Sequence, residues 1–154
     1  MNVRILRHGL LLLLAVLLAA CSPDFGLDQH GQKINRSQWE DRWLVINYWA
    51  EWCGPCHKEI PELNALAQSE GEIAVWGVNY DHLQGEALRQ SAEKMSIRYG
   101  VFQSDPATYF SLPVSNVLPA TYLIDPHGKV RAHLVGEQTA EAIRQRITAL
   151  EKDS

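Results

Sequence analysis

Val45-Ile46-Asn47-Tyr48-Trp49-Ala50-Glu51-Trp52-Cys53-Gly54-Pro55-Cys56 joins a short apolar run to two cysteines separated by Gly-Pro. An amphipathic pattern begins directly after it. That order reads as a buried strand, a tight turn and a helix whose first turn carries both sulfurs. Cysteines at this spacing beside a strand–helix pattern read as a redox motif. Two other chemistries use the same atoms. A copper-delivery module would take Cys53, Cys56 and a histidine, and covalent haem attachment would take Cys53, Cys56 and His57 as Cys-x-x-Cys-His.

Working outward, Leu44 to Ala50 is the expected central strand. Beyond Pro55, the residues Ile60, Leu63 and Leu66 recur at helical spacing, and Pro61 is expected to kink that helix. Pro55 suits the opening turn, where its missing N–H is harmless. Ile73 to Asn79 reads as a second buried strand, and Gln84 to Met95 as a helix with Leu88, Ala92 and Met95 on one face. Ile97 to Gln103 reads as a short strand, and Ala107 to Leu112 as a short helix ended by Pro113. Ala120–Ile124 and Val130–Val135 are expected to pair across Asp125-Pro126-His127-Gly128. Thr139 then caps a last helix that buries Ala140, Ile143, Ile147 and Leu150. Ahead of the central strand, Phe25 to Trp43 reads as a small hairpin and a helical turn. The expected fold is α/β, in the order β-α-β-α-β-β-α with an N-terminal extension and helices on both faces of the sheet.

The 154 residues hold one domain's worth of chain, but the apolar residues are unevenly spread. Arg4, Arg7 and His8 precede an apolar run from Leu10 to Leu18 and the small pair Ala19-Ala20, which makes an export signal. The run is too short for a dependable spanning helix. Leu18-Ala19-Ala20-Cys21 resembles the bacterial lipobox, in which the cysteine is lipidated and becomes the first residue of the mature chain. The expected division is a signal peptide over 1–20, a lipidated tether over 21–24 and one domain over 25–154. Cys21 is then a thioether rather than a third redox thiol, and acyl chains anchor the chain to its membrane. Removing 1–20 takes away Arg4 and Arg7 and no acid, so the formal charge moves from −4 to −6. An acidic domain without a Lys/Arg cluster is not a nucleic-acid binder. Export places it on the periplasmic side of the cell envelope, where disulfides persist.

Three separated motifs carry a family resemblance. Trp49 to Cys56 resembles the thioredoxin active site. Asn47-Tyr48-Trp49-Ala50, the Cys-Gly-Pro-Cys and Glu59-Ile60-Pro61-Glu62-Leu63 are similar to the TlpA/ResA branch, which comprises exported, membrane-tethered thiol–disulfide oxidoreductases. Leu118-Pro119-Ala120-Thr121-Tyr122-Leu123-Ile124-Asp125 with Gly128 resembles a later segment of that branch. The resemblance runs from about Phe25 to the C-terminus. It implies a thioredoxin-like fold and a monomeric protein-disulfide reductase with no cofactor beyond a Cys53–Cys56 disulfide. Implied partners are disulfide-containing envelope proteins, apo-cytochrome c thiols among them, and a membrane thiol-transfer electron donor. A disulfide oxidant or isomerase would use the same residues in the other direction.

The resemblance also distributes roles. Cys53 is the expected nucleophile, since unpaired N–H groups and the dipole at a helix N-terminus stabilise a thiolate. Cys56, one turn on, resolves the mixed disulfide. Cytoplasmic thioredoxins deprotonate that cysteine with a buried aspartate, but Asn47 stands at the matching position, and Gly77 where they carry a lysine. The ResA-like branch implicates a glutamate three residues after the second cysteine. Glu59 stands there, on the same helix face as Cys56, as the acid/base candidate. Pro119 resembles the family's cis-proline, which leaves the backbone of Leu118 free to pair with substrate. Trp52, Gly54, Pro55 and Leu118 are the expected substrate contacts. Trp49 and Trp52 are expected to flank the site as docking surface and packing, while Trp39, Trp43 and Trp76 read as core or edge aromatics. His57 reads as an exposed first-turn residue, and His127 and His133 as surface residues of the hairpin. Copper modules of related fold usually space their cysteines by three, and Trp-Cys-Gly-Pro-Cys with a later Leu-Pro-Ala-Thr has no reason to occur in a haem protein.

Overall fold

Alternate residues of β1 (Trp43–Trp49) belong to two different cores, because successive side chains of a strand point to opposite faces. Leu44 and Ile46 join Trp76, Phe102 and Tyr122 on one side, and Trp43 and Val45 join Leu63, Leu66 and Ile147 on the other. The computed structural model describes residues 24–69, 71 and 73–153, so the expected signal peptide and the lipidation site at Cys21 lie outside the described residues. Four strands flank β1: β2 (Ile73–Asn79), β3 (Gly100–Phe102), β4 (Ala120–Ile124) and β5 (Val130–Val135), in the spatial order β3-β2-β1-β4-β5. β2 runs parallel to β1 with Asn47 opposite Gly77, and β3 runs parallel to β2. β4 is antiparallel to β1 with Asn47 opposite Thr121, and β5 is antiparallel to β4. Both motif strands therefore meet at Asn47.

Three helices connect the strands, α1 (Gly54–Gln68), α2 (Gly85–Lys94) and α3 (Ala107–Phe110), and α4 (Ala140–Lys152) follows β5. α1 continues through Pro61, whose ring removes one i→i−4 hydrogen bond. The Ala142 N–H donates to Oγ1 of Thr139 at 3.1 Å, the expected cap, and the Ala140 N–H donates to Oε2 of Glu62 at 3.0 Å. Helix α4 is thus capped by its own threonine and tied to α1.

Helices lie on both faces of the sheet, as expected, but they cover them unequally. The buried apolar residues of α1, α2 and α4 all belong to the cores on the Val45 side. On the Leu44 side the cover is the N-terminal segment, through Phe25, Ile34 and Trp39, and Phe110 of the one-turn helix α3. Handedness supplies the reason. The crossovers β1–α1–β2 and β2–α2–β3 step in the same direction along the sheet, so right-handed connections place both helices on one face. The N-terminal hairpin also guards an edge. Leu27 bridges to Lys33 and Asp28 to Phe102 of β3. The Gln29 amide donates to the Tyr99 carbonyl at 3.1 Å and accepts the Val101 N–H at 2.7 Å, so the outer side of β3 is not left open.

Gly100 makes the tightest backbone approach of this core. A Cβ there would stand 2.6–2.8 Å from three indole carbons of Trp76. That indole is held by Phe102 at 4.8 Å and Trp39 at 5.6 Å between ring centroids. Gly100→Ala is expected to destabilise the fold by about 1–3 kcal/mol, the usual range for overpacking a core, read as a lowered midpoint in chemical denaturation. Among the described residues no helix is long and apolar enough to cross a membrane.

Candidate active site

The end of β1 delivers the buried Trp49 and Ala50 to a tight turn at Glu51 and Trp52, and α1 starts at once. Cys53 is the N-cap of α1, with Pro55 in its first turn. Cys53 and Cys56 form a disulfide, S–S 2.05 Å. The Cys56 N–H donates to Sγ of Cys53 at 3.2 Å, so a helix N-terminal donor points at that sulfur. Cys53 is 4% exposed and Cys56 is 0% exposed, while Gly54 and Pro55 between them lie on the surface. His57 is exposed, and its Nε2 donates to the Glu51 carbonyl at 2.8 Å, tying the turn to the helix that follows it.

Glu59 is fully buried, 0% exposed, on the face of α1 that carries Cys56. It is no solvated helix-surface glutamate. Nδ2 of Asn47 donates to Oε2 of Glu59 at 3.1 Å and also to Oγ1 of Thr121 at 3.1 Å. Oγ1 of Thr121 donates to Oε1 of Glu59 at 3.2 Å. Burial pushes the carboxyl up to about 7, against these hydrogen bonds and one from the Gln138 backbone, all of which favour the charged form. A carboxyl poised near neutrality beside a dithiol can take or return a proton at physiological pH. Thr121 was quoted in the sequence motif without a role. Its place two residues after Pro119, on a strand paired with β1, was the available signal.

The absence of a side chain at Gly77 is required by its neighbours. A Cβ there would stand 2.9 Å from Nε1 of Trp49 and 3.2 Å from the ring of Tyr99. Lysine has no room at that position, and the polar partner of Asn47 comes from α1 instead.

The peptide bond Leu118–Pro119 is cis. Pro119 is buried, its carbonyl accepts the Gly136 N–H at 2.9 Å, and Leu118 packs against the cluster that contains Cys53, Cys56 and Trp49. The two tryptophans of the motif part company. Trp49 is 0% exposed and packs beneath the cysteines, which removes it from the docking surface. Trp52 is 65% exposed, with its indole N–H donated to the Asp81 carboxylate at 3.0 Å and its ring edge-on to Tyr80. Strand alternation explains the difference, since Trp49 is the last inward residue of β1 and Trp52 lies beyond the strand. His133 is not a free surface residue either; its ring stacks on Tyr122 with centroids 4.4 Å apart. Among the described residues no three His, Cys, Asp or Glu side chains are gathered as a metal-holding group.

Residues 19–133 match the family model described as AhpC/TSA. The chain belongs to the AhpC/TSA family. Within it the chain stands with the thiol–disulfide oxidoreductases of the ResA kind. It is 30% identical over 147 residues to thiol-disulfide oxidoreductase ResA of Geobacillus kaustophilus, an alignment covering 88% of this chain and 79% of that one. It is 32% identical over 108 residues to thiol:disulfide interchange protein HelX of Rhodobacter capsulatus, covering 69% of this chain and 59% of that one. A thioredoxin-family thiol:disulfide interchange protein from Chlorobium tepidum superposes with a TM-score of 0.66 at 20% identity, covering 84% of this chain and 94% of that one. This AhpC/TSA chain thus has the thioredoxin-like fold, built as a five-stranded mixed sheet with an N-terminal extension.

Proposed function

We propose that this protein is an exported, lipid-anchored disulfide reductase of the bacterial envelope, running a Cys53–Cys56 dithiol/disulfide cycle with no other cofactor. The Cys53 thiolate attacks one sulfur of a client disulfide, and a mixed disulfide forms as the other client sulfur leaves as a thiolate. Cys56 then loses its proton to the Glu59 carboxylate and attacks Sγ of Cys53. The Cys53–Cys56 bridge closes, the second client thiolate leaves, and the client has gained two electrons. Trp52, Gly54, Pro55 and the backbone of Leu118 beside Pro119 meet the client around the reacting sulfurs. The observation that carries this reading is the buried Glu59, held by Asn47 and Thr121 one turn beyond Cys56.

In this reading Cys21 carries the lipid, and the domain works as a monomer on the periplasmic side. A membrane thiol-transfer protein returns the dithiol to its reduced form, and clients include proteins of cytochrome c maturation. Gly-Pro between the cysteines, as in the reducing thioredoxins, supports the direction.

The deciding measurement is the reduction potential of the Cys53–Cys56 pair in glutathione or dithiothreitol buffers. Trp52 and Trp49 supply the fluorescence signal, one beside Cys53 at the surface and one beneath the pair. A value near about −270 mV is expected of a reductase. A value near about −120 mV would make the protein an oxidant of its clients. No redox transition at all would remove the dithiol cycle and return copper delivery to consideration.

A further inference from the structure

Both walls of the candidate active site continue into a groove of about 440 Å³. It lies on the opposite face of the sheet from Glu59, because Tyr48 and Tyr122 alternate along their strands with Asn47 and Thr121. One wall is Tyr80, whose ring meets Trp52 with centroids 6.1 Å apart. The other wall is Leu112 and Val114, on the loop that leads to the cis Leu118–Pro119 bond, and Val114 is 87% exposed although apolar. Tyr48 and Tyr122 also line the groove, edge-on to each other at 5.6 Å.

Asp105 supplies the charge. Its Oδ1 accepts the Tyr48 hydroxyl at 2.6 Å and the Ala107 N–H at 2.8 Å, so the carboxylate is fixed in place. Among the described residues no cation pairs with it, and His82 is the one base along the lining. Burial and the Asp105 charge push both phenols up, so Tyr48 and Tyr122 stay neutral and the groove carries a single fixed negative charge. Three tyrosine rings around an unpaired carboxylate suit a flat organic cation. Ring faces attract the positive charge, and a guanidinium matches a carboxylate in shape and hydrogen bonding better than an ammonium does.

We infer that this groove is a subsite for an arginine side chain of the client polypeptide, a short distance along the chain from its reacting cysteine. The client's identity rests on the reductase reading, but the binding of an arginine peptide does not. The formal charge of −6 left after the leader is removed favours the same class of partner.

The probe is a blocked, cysteine-free peptide with one arginine, compared with a twin in which neutral citrulline replaces it. Titrated into the oxidised full chain in detergent, the arginine peptide is expected to bind about tenfold more tightly, with the difference shrinking in about 0.5 M salt. Asp105→Asn keeps an oxygen for Tyr48 and Ala107 while deleting the charge, and should bring the two peptides level. Equal binding to the unaltered protein, or a preference that survives Asp105→Asn, would overturn the subsite. A second arm follows the reduced, unaltered protein acting on hydroxyethyl disulfide. Failure there would sink the reductase reading, while the binding arm would still decide the groove.

Discussion

Cys56→Ser should stop multiple turnover, lower the rate to the background reaction and leave Cys53 joined covalently to its client. Only Cys53 has a helix N–H aimed at its sulfur, so the thiolate forms there first. Cys56 lies one turn deeper with no exposed surface, where a client disulfide cannot reach it. Serine is close to isosteric, so the client can still dock and be attacked by Cys53, but a hydroxyl does not displace a thiolate from a disulfide. The expected product is a stoichiometric mixed disulfide, seen on non-reducing gels and by intact mass and released by dithiothreitol. The Cys53→Ser variant should form no adduct. The opposite pattern, an adduct on Cys56 in the Cys53→Ser variant, would reverse the assignment of the two sulfurs.

Glu59→Gln carries the second large effect, and it has two separable signatures. Gln keeps the size and can still accept from Asn47, but it takes no proton from Cys56. Closure of the Cys53–Cys56 bridge should slow about a hundredfold, at the low end of what a positioned acid/base group supplies. The change in closure rate near pH 7 should also vanish, measured by stopped-flow tryptophan fluorescence. Stability should move the other way. With its carboxyl raised to about 7 from an ordinary 4.5, the folded chain keeps a proton that the unfolded chain releases between those values. Stability of the unaltered protein therefore falls as pH rises from about 4.5 to about 7 and then levels off. The interval corresponds to about 3 kcal/mol, undiscounted because the group is fully buried. Glutamine has no proton to release, so at pH 8 the variant should exceed the unaltered protein by up to about that amount, and at pH 4 the advantage should be gone. Urea denaturation of the oxidised proteins at the two pH values tests it. A pH-independent difference would mean that Glu59 is not the group that titrates.

Much of this fold can be read locally. The strands Ile73–Asn79, Ala120–Ile124 and Val130–Val135 fall where β-rich runs end in turn residues, and the helices start at Cys53 and Thr139, whose side chains accept the first N–H groups. The strand Gly100–Phe102 is shorter than the expected Ile97–Gln103 stretch, since only these three residues pair with β2, at Trp76, Gly77 and Val78. The unequal cover of the sheet was less legible. Periodicity says which side of a helix is apolar and leaves open which face of the sheet it lies on.

The sequence by itself determined the chemistry of the candidate site. Cys53, Cys56 and Glu59 stand a few positions apart, where turn and helix hold them in a fixed relation, while the roles expected of Glu59 and Pro119 come from the family resemblance. Tertiary structure alone decided their environments. Asn47, Glu59 and Thr121 come from three elements, and only the register of β4 against β1 beneath α1 closes their hydrogen bonds, while burial under the packed helix drives the carboxyl toward neutrality against them. In the same way it buried Trp49, left Trp52 in solvent and collected Tyr48, Tyr80, Tyr122 and Asp105 around one groove. Burial and long-range pairing are properties of the packed chain, and no local pattern encodes them.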